Sequence, residues 1–399
     1  MKTATNWSDR VRLHAGADLR QAAAQSHVWL TKRNRPNRVG LVDLWHDARN
    51  ADWRRLLPKK QWVEGRESHT GQTTAILFVG SHRMLPYCSD LIFGKGNWQR
   101  VPATGYSSRI ADFAILDIPF ARGHNDSHWT IRTPPWVRVE LLISEKWEST
   151  LDLLPLKQRK RIARHLRRFA YQTSCSTGVQ SIRSFRQDFL VPAARQRFGE
   201  SAIVSSEGSL VRECRNMIRL DLVYEKTVVA SNLLSIEGNR LRISKGAPAL
   251  GMDELKGRMD VLDYFSLLFA QKAGLKVLDF GLCRANLDDG PLRYKAKWGT
   301  TLAPAGGLKA NTRISAQRDN PLTRSILRRN RFLELDGDGF VLKMLADTPD
   351  CRKGLPSLVA RAAAVGVGRI DLFEADSKTA DELASTYRIE VNALPFKPG

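Results

Sequence analysis

The segment LDFGLCRANLDDGPLRYKAKWG, Leu278 to Gly299, holds the densest set of side chains that could do chemistry. Asp279 interrupts an apolar run that ends at Gly281, Arg284 lies in the polar loop that follows, and Tyr294, Lys295, Lys297 and Trp298 close the segment. A strand that leaves a core at a glycine lets a ligand approach its backbone closely. Cationic donors just past the carboxyl end of a strand suit an anionic or acyl-bearing ligand. The bare residues also allow a plainer reading, with Asp279 capping a turn, Trp298 packed in the core and both lysines solvated.

These residues need a frame. Lys276 to Phe280 reads as a buried strand, preceded by a helix from about Leu255 to Ala273 that ends at Gly274. Before that helix comes SKGAPALGMDELKG, where Gly246, Gly251 and Gly257 permit close approach and a helix N-terminus could receive phosphates. Further upstream, Met217 to Tyr224, Val228 to Ile236 and Arg240 to Ser244 form a meander across two short turns. Ile162, Leu166 and Phe169 recur at helical spacing behind Arg159, Lys160, Arg161, Arg164, Arg167 and Arg168, which predicts an amphipathic helix from Pro155. Between helix and meander the sequence suggests a strand near Val179 to Ile182 and a helix from Asp188 to Phe198.

Residue usage marks domain boundaries. Nine of ten Trp and all eight His fall at or before His165, so residues 1–150 read as a separate α/β module, with strands at Thr74 to Val79, Asp112 to Ile118 and Val137 to Ile143. A core follows over 151–310. The stretch TTLAPAGGLKANTRISAQRDNP reads as a linker or covering loop. Residues 311–399 then restart an α/β pattern. Gly274 and Gly366 each end a helix and precede an apolar-Asp-apolar triplet, an echo compatible with duplicated halves.

The helix PLKQRKRIARHLRRF, the meander, the helix-Gly274-strand unit and above all DFG…YKAKWG resemble the Fem-type, peptidoglycan aminoacyltransferase-like branch of the GNAT acyltransferase superfamily, over about Leu151 to Pro304. The resemblance implies an α/β (α+β) fold whose GNAT-like mixed sheet is flanked by helices. In such folds two parallel strands splay, and their unpaired N–H groups stabilise the oxyanion formed when an amine attacks an activated carbonyl. By position, Leu241 to Ser244 and Val277 to Phe280 would be those strands. The implied catalytic residues are Lys295, Tyr294 and Asp279. Donor contacts would come from Ile243, Ser244, Lys245, Gly246, Gly251, Gly281, Arg284 and Trp298, without a metal. The donor implied is acyl-CoA, of acetyl or longer chain. The usual pyrophosphate pattern Q/R-x-x-G-x-G/A is absent, which makes a charged tRNA the alternative. The acceptor would be an amine, such as one on a cell-wall or polysaccharide precursor, bound by the N-terminal module.

Charge agrees with an anionic partner. Lys and Arg number 63 against 41 Asp and Glu, a net charge of +22, while 42% hydrophobic residues exclude wholesale disorder. Five scattered cysteines without a CxxC pair, no signal-peptide core and no apolar run near the roughly 20 residues of a membrane span point to a cytoplasmic protein without integral membrane association. If RNA is a partner, Arg161, Arg164 and Arg168 are the phosphate contacts expected, with further basic clusters at Lys32 to Arg35, Trp53 to Trp62 and Arg324 to Arg331. A non-catalytic RNA-binding protein on the same scaffold is the rival from another class. The DFG triplet does not make a kinase, because HRD and a G-x-G-x-x-G loop are missing. His124 and His128 read as a solvated loop, and DGDG at Asp336 to Gly339 as a hairpin turn.

Overall fold

A computed structural model gives the fold and describes residues 59–67, 71–80, 84–102, 113–117, 130–198, 204–305, 312–316 and 319–395, apart from 95, 215 and 338. It divides into two compact units, each discontinuous in sequence. The first comprises Val139–Gly281 and Lys297–Thr300, and the second the described residues of Pro36–Arg138, Leu282–Ala296 and Thr301–Gly399. Mixed sheets flanked by helices run through both, the α/β class expected.

In the first unit we label β1 (Val137–Leu142), α1 (Leu156–Arg168), β2 (Gln172–Thr177), β3 (Ile218–Tyr224), β4 (Thr227–Glu237), β5 (Arg240–Pro248), α2 (Arg258–Lys272) and β6 (Val277–Cys283). These strands lie in the order β1-β6-β5-β4-β3-β2. Strands β2 to β5 pair antiparallel, and β6 joins β5 in parallel. Helix α2 makes that parallel crossover possible. It is apolar nearly all round, with Val261, Leu262, Phe265, Leu267 and Phe269 buried, as a helix lying in a core must be.

One expected strand is a helix. Val179–Phe185 is helical and continues through a π-turn at Arg186–Leu190 into Val191–Phe198. The reason is the spacing of Ile182, Phe185 and Phe189, three and four residues apart, which puts all three on one face in a shared core.

The second unit has a sheet in the order Trp98–Val101, Lys59–Arg66, Thr73–Gly80, Phe113–Asp117, Thr312–Ala316, Thr130–Thr133. Its fifth strand falls inside the stretch that reads as a linker. Thr312–Ala316 is buried at every position and pairs on both sides, so this sheet combines residues from before 150 and after 310. A separate sheet carries Phe332–Asp336, Gly339–Leu345, Val367–Phe373 and Glu390–Leu394, the first two joined by the hairpin turn expected at Asp336 to Gly339. Gly274 and Gly366 both end their helices with positive φ, 69° and 80°, and each leads into a parallel strand. Among the described residues no helix is long and apolar enough to cross a membrane, and all five cysteines are free.

Candidate active site

The parallel ladder between β5 and β6 is short. It pairs Arg240 with Val277, Leu241 with Leu278 and Arg242 with Asp279, and then stops. Strand β5 runs on beside β4 as far as the pairing of Pro248 with Ala230. On that side it bulges, because Ile243 faces Leu234 and Lys245 faces Leu233, leaving Ser244 as the extra residue. Past Arg242 and Asp279 the two parallel strands therefore part. In the second unit the corresponding strands Gly339–Leu345 and Val367–Phe373 stay paired to their ends.

Side chains hold the point of parting. Asp279 is fully buried, and its Oδ2 lies 3.1 Å from Arg242 Nε and 3.9 Å from Arg240 Nη1. Its Oδ1 accepts the Gly281 N–H at 2.7 Å. Gly281 has φ 79°, a conformation that other residues adopt only with strain. Arg240 also meets Glu140 at 2.5 Å, and Arg242 meets Glu237 at 2.7 Å. On the neighbouring strand, Asn232 Oδ1 fills the place where Gly246 would carry a Cβ, while its Nδ2 donates to Asp263 and Ser266 at 3.1 and 3.2 Å. Ser244 Oγ lies 3.3 Å from Ser235 Oγ, and Lys245 Nζ 3.6 Å from Glu213.

The loop after β5 is drawn together by Arg258, whose guanidinium donates to the carbonyls of Ala249, Met252 and Leu255 at 2.5, 2.7 and 3.3 Å. Gly251 supplies a turn at φ 74°. Gly257, at φ 100°, precedes the first turn of α2 and is covered by the His165 imidazole from α1. The sequence treats the basic helix and this loop as separate anion sites, and the fold brings them together. Burial, reinforced by Arg161, lowers the His165 pKa, and burial pushes the nearby Tyr171 hydroxyl up to about 12. Arg161 is turned inward to Asp260, whereas Arg164 and Arg168 stay on the outer side of α1, the latter over the Phe169 ring at 5.1 Å.

Trp298 is fully buried and packs on Phe280 with ring centroids 5.5 Å apart. It is a core residue and not the donor contact that the resemblance implies, because no face of the indole remains for a ligand. Gly299, at φ 69°, places its Cα against the Leu153 carbonyl, where a Cβ has no room. The Trp-Gly end of the motif is thus a packing device.

The remaining expected residues lie in the second unit. Tyr294 and Lys295 stand on α3 (Gly290–Ala296), and Lys295 Nζ donates to the Leu282 carbonyl at 3.1 Å. Arg284 stacks on Trp136 at 3.7 Å. Burial raises the pKa of Asp289 on the loop before α3. The basic cluster at Arg324 to Arg331 is internally engaged: Arg324 pairs with Asp319, Asp347 and Glu374, Arg328 with Asp347, Arg329 with Glu67, and Arg331 donates to the Arg328 carbonyl. These carboxylates are mostly distant in sequence, so the run looks like an open basic patch until the chain folds. Lys32 to Arg35, most of the Trp53 to Trp62 patch and His124 to His128 lie outside the described residues.

No protein-family model matches the chain, and no curated protein matches its sequence. Solved structures do. FemX is similar with a TM-score of 0.35 and 11% identity over 66% of this chain and 85% of its own. L-PGS from Bacillus licheniformis gives 0.33 and 10% over 67% and 86%, and a GCN5-related N-acetyltransferase from Kribbella flavida gives 0.25 and 10% over 96% and 97%. These are likenesses at low identity, and the parting of β5 from β6 is read from the ladder of this chain itself.

Several residues around the parting strands escape sequence reasoning: Arg242, Asn232, Asp260, His165 and Arg258. For Arg242 the signal is faint but present, since Asp279 is a charge inside a strand that is otherwise largely buried, and such a charge needs a partner.

Proposed function

We propose that the chain is an N-acyltransferase that takes an acyl group from acyl-CoA and passes it to an amine, with the donor carbonyl seated where β5 and β6 part. The observation that carries this reading is the ladder that ends at Arg242 and Asp279 while β5 continues beside β4. N–H groups of β5 that face β6 beyond that point have no partner in the ladder, and such donors suit an oxyanion. In the reaction the amine nitrogen attacks the carbonyl carbon, forming the C–N bond and a tetrahedral oxyanion. That oxyanion collapses with breakage of the C–S bond, the coenzyme leaves as thiolate, and the amine proton is released. No covalent enzyme intermediate is needed. Lys295, whose Nζ donates to the Leu282 carbonyl, and Tyr294 beside it in sequence stay proposed as catalytic on the strength of the motif alone. The acceptor proposed is an amine on a cell-wall or polysaccharide precursor, met in the cytoplasm.

A charged tRNA is the second donor, favoured by α1. This helix carries Lys157, Lys160, Arg164, Arg167 and Arg168 with no acid among them, a surface suited to RNA phosphates. The same face would serve a non-catalytic RNA-binding protein. Thermal-shift and native mass spectrometry series with acetyl-CoA, longer acyl-CoA, charged tRNA and uncharged tRNA separate the three. A stabilising one-to-one complex with acyl-CoA is the expected result. Binding of charged tRNA alone would transfer the reading to the aminoacyl donor, and binding of both tRNA forms with no acyl-CoA would overturn transfer altogether.

A further inference from the structure

We propose that Asp279 is a positioning residue that keeps β5 and β6 apart, and not a group that exchanges protons with substrate. The inference rests on the acyl-donor reading of the parted strands. Continued in register, the ladder would next pair Ile243 with Phe280 and Ser244 with Gly281, and neither pairing forms. Gly281 cannot join because its N–H is turned onto Asp279 Oδ1 at 2.7 Å, a turn that its φ of 79° allows. Ser244, its would-be partner, is the bulged residue on the β4 side. Both members of that pair thus leave the regular ladder at the same level.

The charge on Asp279 is balanced from β5. Arg242, its neighbour in the last pair that does form, donates to Oδ2 at 3.1 Å, and Arg240 stands 3.9 Å away while held by Glu140. A carboxylate fully out of solvent is retained only with such partners. One oxygen is thereby bound to β5 through arginine and the other to the β6 backbone. This arrangement engages both oxygens and leaves neither exposed to meet an incoming amine. Asp279 fixes where the ladder ends, and the end of the ladder is where the donor carbonyl would sit.

The test uses the full chain with glycine labelled by ¹⁵N, in wild type, Asp279→Asn and Asp279→Leu, with acetyl-CoA as the binding probe. In the wild type the Gly281 amide should resonate downfield, as N–H groups bound to a carboxylate do. Asp279→Asn keeps an acceptor oxygen and should move that amide upfield while holding acetyl-CoA affinity within a few-fold. Asp279→Leu should free the amide to pair across to β5 and weaken acetyl-CoA about tenfold or more, a change of about 1.4 kcal/mol. A Gly281 amide that does not move in Asp279→Asn overturns the inference even if the leucine variant fails to fold. Wild-type affinity in a folded Asp279→Leu overturns it too. Should the wild type bind no acyl-CoA, the donor reading falls, and the amide shift alone decides whether Asp279 holds the strand end.

Discussion

Arg161 reaches from α1 to the buried first turn of α2, where its Nε lies 2.9 Å from Asp260 Oδ2. The two side chains differ in exposure, 42% for the arginine and 2% for the aspartate, so the aspartate depends on the pair more than the arginine does. Arg161→Gln should therefore cost about 3 kcal/mol, the lower end for a broken buried pair because the guanidinium is partly solvated. Adding Asp260→Asn should recover part of that loss. Chemical denaturation of the single and double variants measures both effects, and additive losses would show that the two residues are not coupled.

Arg164 and Arg168 make no such buried pair and provide the clean probe of RNA binding that Arg161 cannot. The double change to glutamine should alter stability by no more than about 0.5 kcal/mol. If tRNA is a ligand, the slope of log affinity against log salt should fall by somewhat under one unit for each phosphate that α1 no longer neutralises. Titrations across a salt series read this directly, and an unchanged slope removes the outer face of α1 from the RNA-binding surface.

His165 links stability to pH. Burial and Arg161 lower its folded pKa below the model-peptide value of 6.5, so on acidification the unfolded chain takes up the proton first. The contribution is fully present above the unfolded value and is lost as pH falls through the histidine range. His165→Gln should flatten that part of the stability profile in urea unfolding followed at a series of pH values. A profile as steep as the wild type's would assign the dependence to other groups.

Gly299→Ala should be among the most damaging single changes in the motif, since a Cβ there meets the Leu153 carbonyl and the backbone is left-handed as well. A loss of about 2–4 kcal/mol combines overpacking with backbone strain. Trp298→Ala should cost about 3–5 kcal/mol as a fully buried aromatic. Melting temperatures test both, and either variant with wild-type stability would return the Trp-Gly pair to a ligand role.

Lys295→Ala should spare the fold and lower turnover roughly 10²- to 10³-fold if its amine supports the transition state. Unchanged turnover at unchanged melting temperature would restrict the lysine to its bond with the Leu282 carbonyl.

Elements whose signals are local were legible from the residues alone. The β3-β4-β5 meander, helix α2 with its glycine stop, and strand β6 follow from periodicity and turn residues that act over a few positions. Gly281 is legible in part: a glycine in an apolar run predicts a left-handed residue, which it is at φ 79°, but the strand runs on to Cys283 instead of ending there. Pairings between residues far apart in the chain were decided only by tertiary structure. Thr312–Ala316 has too few large side chains to announce a buried strand, and it becomes one because Phe113–Asp117 and Thr130–Thr133 offer hydrogen bonds on both sides. Asp279 reads as a candidate for chemistry or a turn cap, and only the fold sets Arg242, 37 residues earlier, on its carboxylate. Trp298 reads as a ligand contact until Phe280 closes over it. Burial and ion pairing are properties of the packed neighbourhood, and a neighbourhood assembled from separate stretches of chain leaves little trace in any one of them.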